Sequence, residues 1–281
     1  MSWSLDSVTS WPLEKRRRLS ALLIRNRPAA TDLFREAGLA PDPWQRDVLL
    51  SRAPRTLLLC SRQSGKSTTT ACLALFEAIH RAPALVLLLS PSLRQSGELF
   101  RKVLDFYRAL PSPPRSVGES ALRLELENGS RIVSLPGTEE TIRGYSGVSL
   151  LAVDEAARVP DSLYFSVRPM LAVSGGRLLA LSTPFGKRGW YFDAWQGSDP
   201  WERVRITAYD CPRIPADFLA EERRAMPASW FAAEYEATFT EAEGQFFREE
   251  DIARALAGDV APLFPAEPVL PAPLLLGPEA R

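Results

Sequence analysis

Leu57-Leu58-Leu59-Cys60-Ser61-Arg62-Gln63-Ser64-Gly65-Lys66-Ser67-Thr68 runs from an apolar segment through a short polar loop into a stretch of helical period, Lys66–His80. A short, continuously apolar run closed by polar residues reads as a buried strand, so the whole reads strand, loop, helix. In that setting the loop's backbone N–H groups, added to the positive end of the helix dipole, wrap a polyphosphate. Lys66 would reach the β- and γ-phosphates of ATP and the Ser67 hydroxyl would hold Mg²⁺, while Ser61, Arg62, Gln63, Ser64, Gly65 and Thr68 complete the cradle. The glycine that usually heads such a loop is replaced by Cys60. The Gly-Lys-Ser core and its strand-to-helix setting remain. Read blandly, the same residues are a loop that happens to contain Gly-Lys-Ser.

On both sides of this stretch, short apolar runs alternate with helical segments, the appearance of a mostly parallel sheet covered by helices on both faces. Strands are expected at Thr56–Cys60, Ala84–Ser90, Leu122–Leu126, Arg131–Leu135, Leu150–Val153, Arg177–Leu181 and Arg203–Thr207. Asn128-Gly129 accepts the positive φ angles of a tight turn and predicts a hairpin. Helices are expected at Lys66–His80, Leu93–Leu110, Ser162–Leu171 and Gly189–Trp195. Residues 1–40 read as a helical lead-in, interrupted by Pro28 and stopped by Gly38, and 41–210 as an α/β core. Residues 211–257 form a small helical subdomain, with helices at Ala216–Met226 and Ser229–Ala237. Residues 258–281 are a tail whose six prolines bar helix and sheet and read as disordered.

Catalysis on a triphosphate also needs a carboxylate for the metal shell and another to orient water, presented at the carboxyl end of a neighbouring strand. Leu150-Leu151-Ala152-Val153-Asp154-Glu155 supplies both, Asp154 for magnesium or its waters and Glu155 for the attacking water. An apolar run ending in Asp-Glu also reads as a strand leading into an acid-favouring helix N-terminus. The phosphate loop upstream favours the catalytic reading.

Lysine plus arginine and aspartate plus glutamate both total 34, so no net field announces nucleic acid. The distribution is uneven. Residues 1–70 hold twelve basic against six acidic side chains, with the run Lys15, Arg16, Arg17, Arg18, and 241–281 hold eight acidic against three basic. Such a basic run reads as a solvated helix face or a DNA contact. Cys60, Cys72 and Cys211 show no metal-type spacing and cannot all pair, which fits a reducing cytoplasm. No apolar run approaches the ~18 residues that span a bilayer, so a soluble, unsecreted protein without membrane contact is expected.

With these motifs in order, residues 40–250 resemble the large terminase subunits of tailed phages, whose ATPase fold is of the P-loop NTPase class (RecA-like, ASCE). Pro43-Trp44-Gln45 is similar to that family's adenine motif, in which the Gln45 amide would bond the base edge; a solvated-surface glutamine is the plain alternative. The resemblance implies that Arg62, inside the loop, senses the γ-phosphate. Gly137-Thr138 through Ile142-Arg143-Gly144-Tyr145-Ser146-Gly147 is also similar to the terminase pattern. Arg143 is the candidate arginine finger toward a neighbouring subunit, or an arginine that fixes its own loop. Leu181-Ser182-Thr183-Pro184 looks like the coupling motif, with Ser182 and Thr183 sensing the γ-phosphate, or an ordinary turn. Trp190, Tyr191, Phe192 and Trp195 read as core rather than as base-stacking platforms.

The resemblance implies an ATP-hydrolysing motor that moves double-stranded DNA into a procapsid in the host cytoplasm. It would work as a homo-oligomeric ring with portal and small terminase subunit. The family's nuclease opens with a metal-binding aspartate on a strand, and nothing here matches it, so cutting would fall to a separate nuclease chain, or the sequence is a truncated or split gene. A superfamily-2-like helicase, another DNA-stimulated ATPase and an inactive nucleotide-binding remnant share the same motifs.

Overall fold

The computed structural model describes residues 28–137, 142 and 144–241. The chain divides into one unit over 1–242 and another over 243–281, and the described residues all lie in the first. The basic run at Lys15–Arg18, most of the lead-in and the proline-rich tail therefore lie outside the described residues.

Two short helices, α1 (Ala30–Glu36) and α2 (Pro43–Leu50), precede the first strand. Then come β1 (Arg55–Cys60), α3 (Lys66–His80), β2 (Leu85–Ser90), α4 (Leu93–Ala109), β3 (Ser116–Ser120), β4 (Arg123–Leu126), β5 (Arg131–Pro136) and β6 (Leu150–Asp154). After them follow α5 (Asp161–Val167), β7 (Arg177–Ser182), α6 (Gly189–Gln196), β8 (Glu202–Ile206), α7 (Ala216–Ala225) and α8 (Ala228–Glu234). The strands form one eight-stranded sheet in the order β3-β4-β5-β2-β6-β7-β1-β8. Pairing is parallel from β5 to β8, and β4 is antiparallel to both β3 and β5.

Successive strand residues point to opposite faces, and the leucine runs use this directly. Leu58, Cys60, Val86, Leu88, Ala152 and Leu181 face one buried layer with Phe34, Val48, Leu75, Phe100 and Val103 from α1–α4. Leu57, Leu59, Leu87, Leu89, Leu151, Val153 and Ala180 face the other, with Tyr164 and Val167 of α5 and Trp190 and Tyr191 of α6. Each fully buried leucine contributes roughly 1.5–3 kcal/mol. A strand with both faces covered favours an apolar residue at nearly every position, which is why the leucine runs are so long in sequence.

The expected hairpin joins β4 and β5: Gly129 takes φ +82°, and the Asn128 side-chain oxygen accepts from the Ser130 N–H at 3.0 Å. The aromatic run after β7 packs as core. Trp190 stacks on Tyr164 at 3.8 Å, and the buried Tyr191 hydroxyl donates to the Leu58 carbonyl at 2.8 Å.

Three features differ from the sequence reading. β3, Ser-Val-Gly-Glu-Ser, is an edge strand with no buried residue, so no apolar alternation announces it. Helix α2 lies where only the adenine motif was expected. Pro43 occupies its first turn and Asp42 its N-cap, a start signal overlooked beside the glutamine. Finally, β6 is not the neighbour of β1, because β7 lies between them.

Gly176, just before β7, has no room for a side chain: a Cβ there would collide with the Val148 carbonyl oxygen and lie 3.0 Å from Leu171 Cδ2. Gly176→Ala is expected to lower stability by about 1–3 kcal/mol in urea denaturation; an unchanged midpoint would show that the Val148 turn yields freely.

Candidate functional site

The site lies at the carboxyl ends of β1, β7 and β6. β1 ends at Cys60, where burial pushes the thiol up to about 12, so it stays a neutral, packed group. The loop that follows is pinned from several sides. Ser61 N–H donates to the Ile206 carbonyl of β8 at 2.8 Å, and the buried Ser64 hydroxyl donates to the Ser61 carbonyl at 3.0 Å. Gln63 holds φ +60°, uncommon for a residue with a side chain and worth about 1–2 kcal/mol of strain. Gly65 takes φ +96° as the N-cap of α3, and a Cβ there would come within 2.8 Å of Gln45 Nε2 and 3.2 Å of Arg213 Nη2. The positive φ is what calls for glycine here.

Lys66 opens α3, and its ammonium pairs with Glu155 Oε1 at 3.1 Å; both side chains are largely buried. Burial pulls the Lys66 pKa down, but Glu155 and Asp154 more than offset this and hold it above its ordinary value. Glu155 itself stands at φ +50°, directly after the last residue of β6. Asp154 is 6 % exposed, and its Oδ1 accepts from the Glu155 N–H at 3.0 Å. Burial and the adjacent Glu155 push its carboxyl up to about 6, against the lowering pull of Lys66 and Lys102. Ser182, the last residue of β7, and Thr183 after it are buried. Leu181 is the register partner of Asp154, and the next residue's hydroxyl, Ser182 Oγ, is buried with no hydrogen-bond partner among the described residues.

A cleft of about 710 Å³ runs along the loop, lined by Gln45, residues 62–68, Lys102 and Arg213 as well as Phe34 and Leu39. The Ser67 hydroxyl and the Asp154 carboxylate are hard oxygen donors. This donor set fits Mg²⁺, which typically takes one or two protein oxygens and completes its shell with phosphate and water.

Two of the expected residues are engaged by the protein. Gln45 is buried: its Oε1 accepts from the Asp42 N–H at 2.9 Å, and its Nε2 donates to Thr69 Oγ1 at 3.0 Å and the Gly65 carbonyl at 3.4 Å. It fastens α2 to the phosphate loop, so the surface alternative does not describe it. Arg62 reaches out of the loop to Glu234 of α8, Nε to Oε2 at 2.8 Å, and its N–H donates to the Glu234 carbonyl at 2.9 Å. Arg143 and Thr138 lie outside the described residues; Gly144 and Gly147, close by, take φ +120° and +69°.

Residues outside every motif also converge here. Lys102 of α4 approaches Thr68 Oγ1 at 3.5 Å, and Arg213 joins Asp42 to the loop. Neither carried a sequence signal, because a single basic residue on a helix or after a strand has no local pattern.

A phosphate-type loop between β1 and α3, an acidic pair on β6 and an added strand β7 between them define a P-loop NTPase fold of the ASCE class. Residues 57–254 match the family described as terminase large subunit, T4likevirus-type, N-terminal, and the chain belongs to that family. The large terminase subunit of Thermus phage G20c is 25 % identical over 256 residues, which cover 78 % of this chain and 53 % of that protein. That of Escherichia phage T5 is 32 % identical over 135 residues, covering 44 % of this chain and 30 % of its own. The chain thus spans about half the length of the curated relatives from Thermus phages. Among solved structures, the large terminase ATPase domain of Thermus phage P74-26 superposes with a TM-score of 0.65 at 24 % identity, over 76 % of this chain and all of that one (100 %). The large terminase of bacteriophage D6E in complex with ADP gives 0.60 at 14 % identity, over 71 % of this chain and 54 % of that one. Among the described residues, no helix is long and apolar enough to cross a membrane.

The folded protein binds the Asp154 proton more tightly than the unfolded chain does. Between about pH 4 and pH 6 folding therefore takes up a proton, stability falls as pH rises, and above that window the penalty is constant. Asparagine cannot ionise. In magnesium-free buffer, Asp154→Asn should gain about 1–3 kcal/mol relative to wild type between about pH 4.5 and about pH 7.5. Urea denaturation at the two pH values measures this, and a difference independent of pH would count against the buried, uncompensated carboxylate.

Proposed function

We propose that this chain hydrolyses ATP as the motor part of a large terminase, and that hydrolysis is coupled to moving double-stranded DNA into a procapsid. The observation that carries the reading is the buried Lys66–Glu155 pair at 3.1 Å, across the mouth of a phosphate-type loop, with Asp154 beside it. ADP and ATP-γ-S complexes of the D6E large terminase, a fold relative, support a nucleotide here.

In this mechanism the loop N–H groups and the start of α3 receive the phosphates. Lys66 exchanges its carboxylate partner for the β- and γ-phosphates, which frees Glu155. Glu155 then takes a proton from water as the water oxygen bonds to the γ-phosphorus and the bond to the β,γ-bridging oxygen breaks. Ser67 and Asp154 would hold Mg²⁺, which neutralises phosphate charge when bound. Arg62 leaves Glu234 for the γ-phosphate, and Ser182 and Thr183 face the same group from β7. Arg143 is the proposed finger toward a neighbouring subunit.

The coupling follows from what grips the loop. Arg62 is held by Glu234 and Ser64 by Arg213, both in the segment after β8, so a change at the γ-phosphate is passed to α7 and α8. The family supports a homo-oligomeric ring acting on duplex DNA in the host cytoplasm, with portal and small terminase subunit as partners.

Glu155→Gln is expected to keep ATP affinity within a few-fold and to lower turnover by about 10²–10⁴-fold. Lys66→Ala is expected to lose binding itself. Phosphate release measured with and without duplex DNA tests both, and wild-type turnover in Glu155→Gln would remove that residue from its assigned role.

A further inference from the structure

The cleft is lined by chemically different groups. Lys66 and Ser67 line it with charged and hydroxyl groups, Gly38, Leu39 and Ala40 line it with apolar ones, and Arg213 shares the same lining; Leu39 is 44 % exposed. Arg213 follows the last strand. Its guanidinium is held by its edge: Nη1 donates to Asp42 Oδ1 at 2.6 Å and Nη2 to the Ser64 carbonyl at 3.1 Å. Hydrogen bonds to a guanidinium run in its plane, so these two fix the orientation of the plane without using its faces for hydrogen bonding. The side chain is 52 % exposed.

A planar cation held in this way, in the lining of a cleft that also includes an exposed leucine, can serve as a platform for an aromatic ring. The alternative means of holding a base, hydrogen bonds to its edge from Gln45, is already committed. Both Gln45 amide groups serve Asp42, Gly65 and Thr69, and the residue is 2 % exposed. A face contact with no edge contact tells a base from no base, and hardly tells one purine from another.

We infer that Arg213 is the base-holding residue of this cleft, stacking its guanidinium on the purine ring of the bound nucleotide. The site then selects a nucleotide over a bare triphosphate and accepts guanine alongside adenine. Resting on the triphosphate reading above, the assignment adds the determinant of base specificity. The same two hydrogen bonds make Arg213 a brace between α2 and the phosphate loop, so its test must separate loop from base.

The separating measurement is displacement of a mant-labelled ATP from the full chain, in magnesium buffer, by ATP, GTP and inorganic tripolyphosphate. Wild type should bind ATP and GTP comparably. Arg213→Ala should weaken both by roughly 3- to 30-fold while tripolyphosphate affinity holds. Arg213→Lys keeps charge and a donor but has no planar face, so it should show the same split, and it carries the comparison if the alanine variant is poorly folded. Equal losses of ATP and tripolyphosphate, a lysine variant indistinguishable from wild type, or firm rejection of GTP by wild type would each overturn the stacking role. Wild type that binds neither ATP nor tripolyphosphate would instead sink the triphosphate reading, and the base assignment with it.

Discussion

A buried ammonium cannot stand alone, and this constraint organises the carboxyl edge of the sheet. Lys66 is carried into the protein by the first turn of α3, where its desolvation must be offset by opposite charge. Glu155 and Asp154 supply that charge from β6, two strands away from β1. Strand β7 sets the spacing between the two ends, and its terminal Ser182 is enclosed there. The left-handed backbone at Glu155 and at Gln63 is the local strain that this meeting of loop and strand requires. Charge balance, strand order and backbone conformation are thus one arrangement.

The parts legible in the sequence are those whose cause is local. The unbroken runs around Leu57–Leu59 and Leu85–Leu89 had to be strands covered on both faces, and Lys66–His80 was bounded to the residue because a glycine and a long apolar period mark it. The phosphate loop and the Asp-Glu pair were visible for the same reason. Contacts decided between distant segments were not visible: Arg62 with Glu234, Arg213 with Asp42, Lys102 with Thr68. Gln45 shows the intermediate case. The sequence left it between a base-reading and a solvated-surface role, whereas its buried amide bonds Asp42, which caps the same helix, and Thr69 of α3.

The arginines explain why overall charge was uninformative. Arg203 donates to the carbonyls of Ala194, Trp195, Gly197, Asp199 and Trp201, and Arg205 to those of Glu236 and Ala237. The five-donor fork closes irregular backbone that has no regular ladder to join. A large share of the basic side chains on the β8 side therefore serves the chain's own carbonyls, and a count of them says little about polyanions.

The strand order also dictates a sequence of assembly. β4 and β5 pair across a tight turn and β3 joins β4 directly, so the far edge of the sheet is built from neighbours in the chain. β1 is the first strand to be made, yet both its partners, β7 and β8, are the last. Closing such long separations carries the loop entropy that slows non-local pairing. During synthesis the phosphate loop thus emerges early and waits: it is seated only after Ile206 has been added and its carbonyl can take the Ser61 N–H. A nascent chain halted before that point holds every residue of the loop but lacks the β8, Arg213 and Glu234 contacts that pin it.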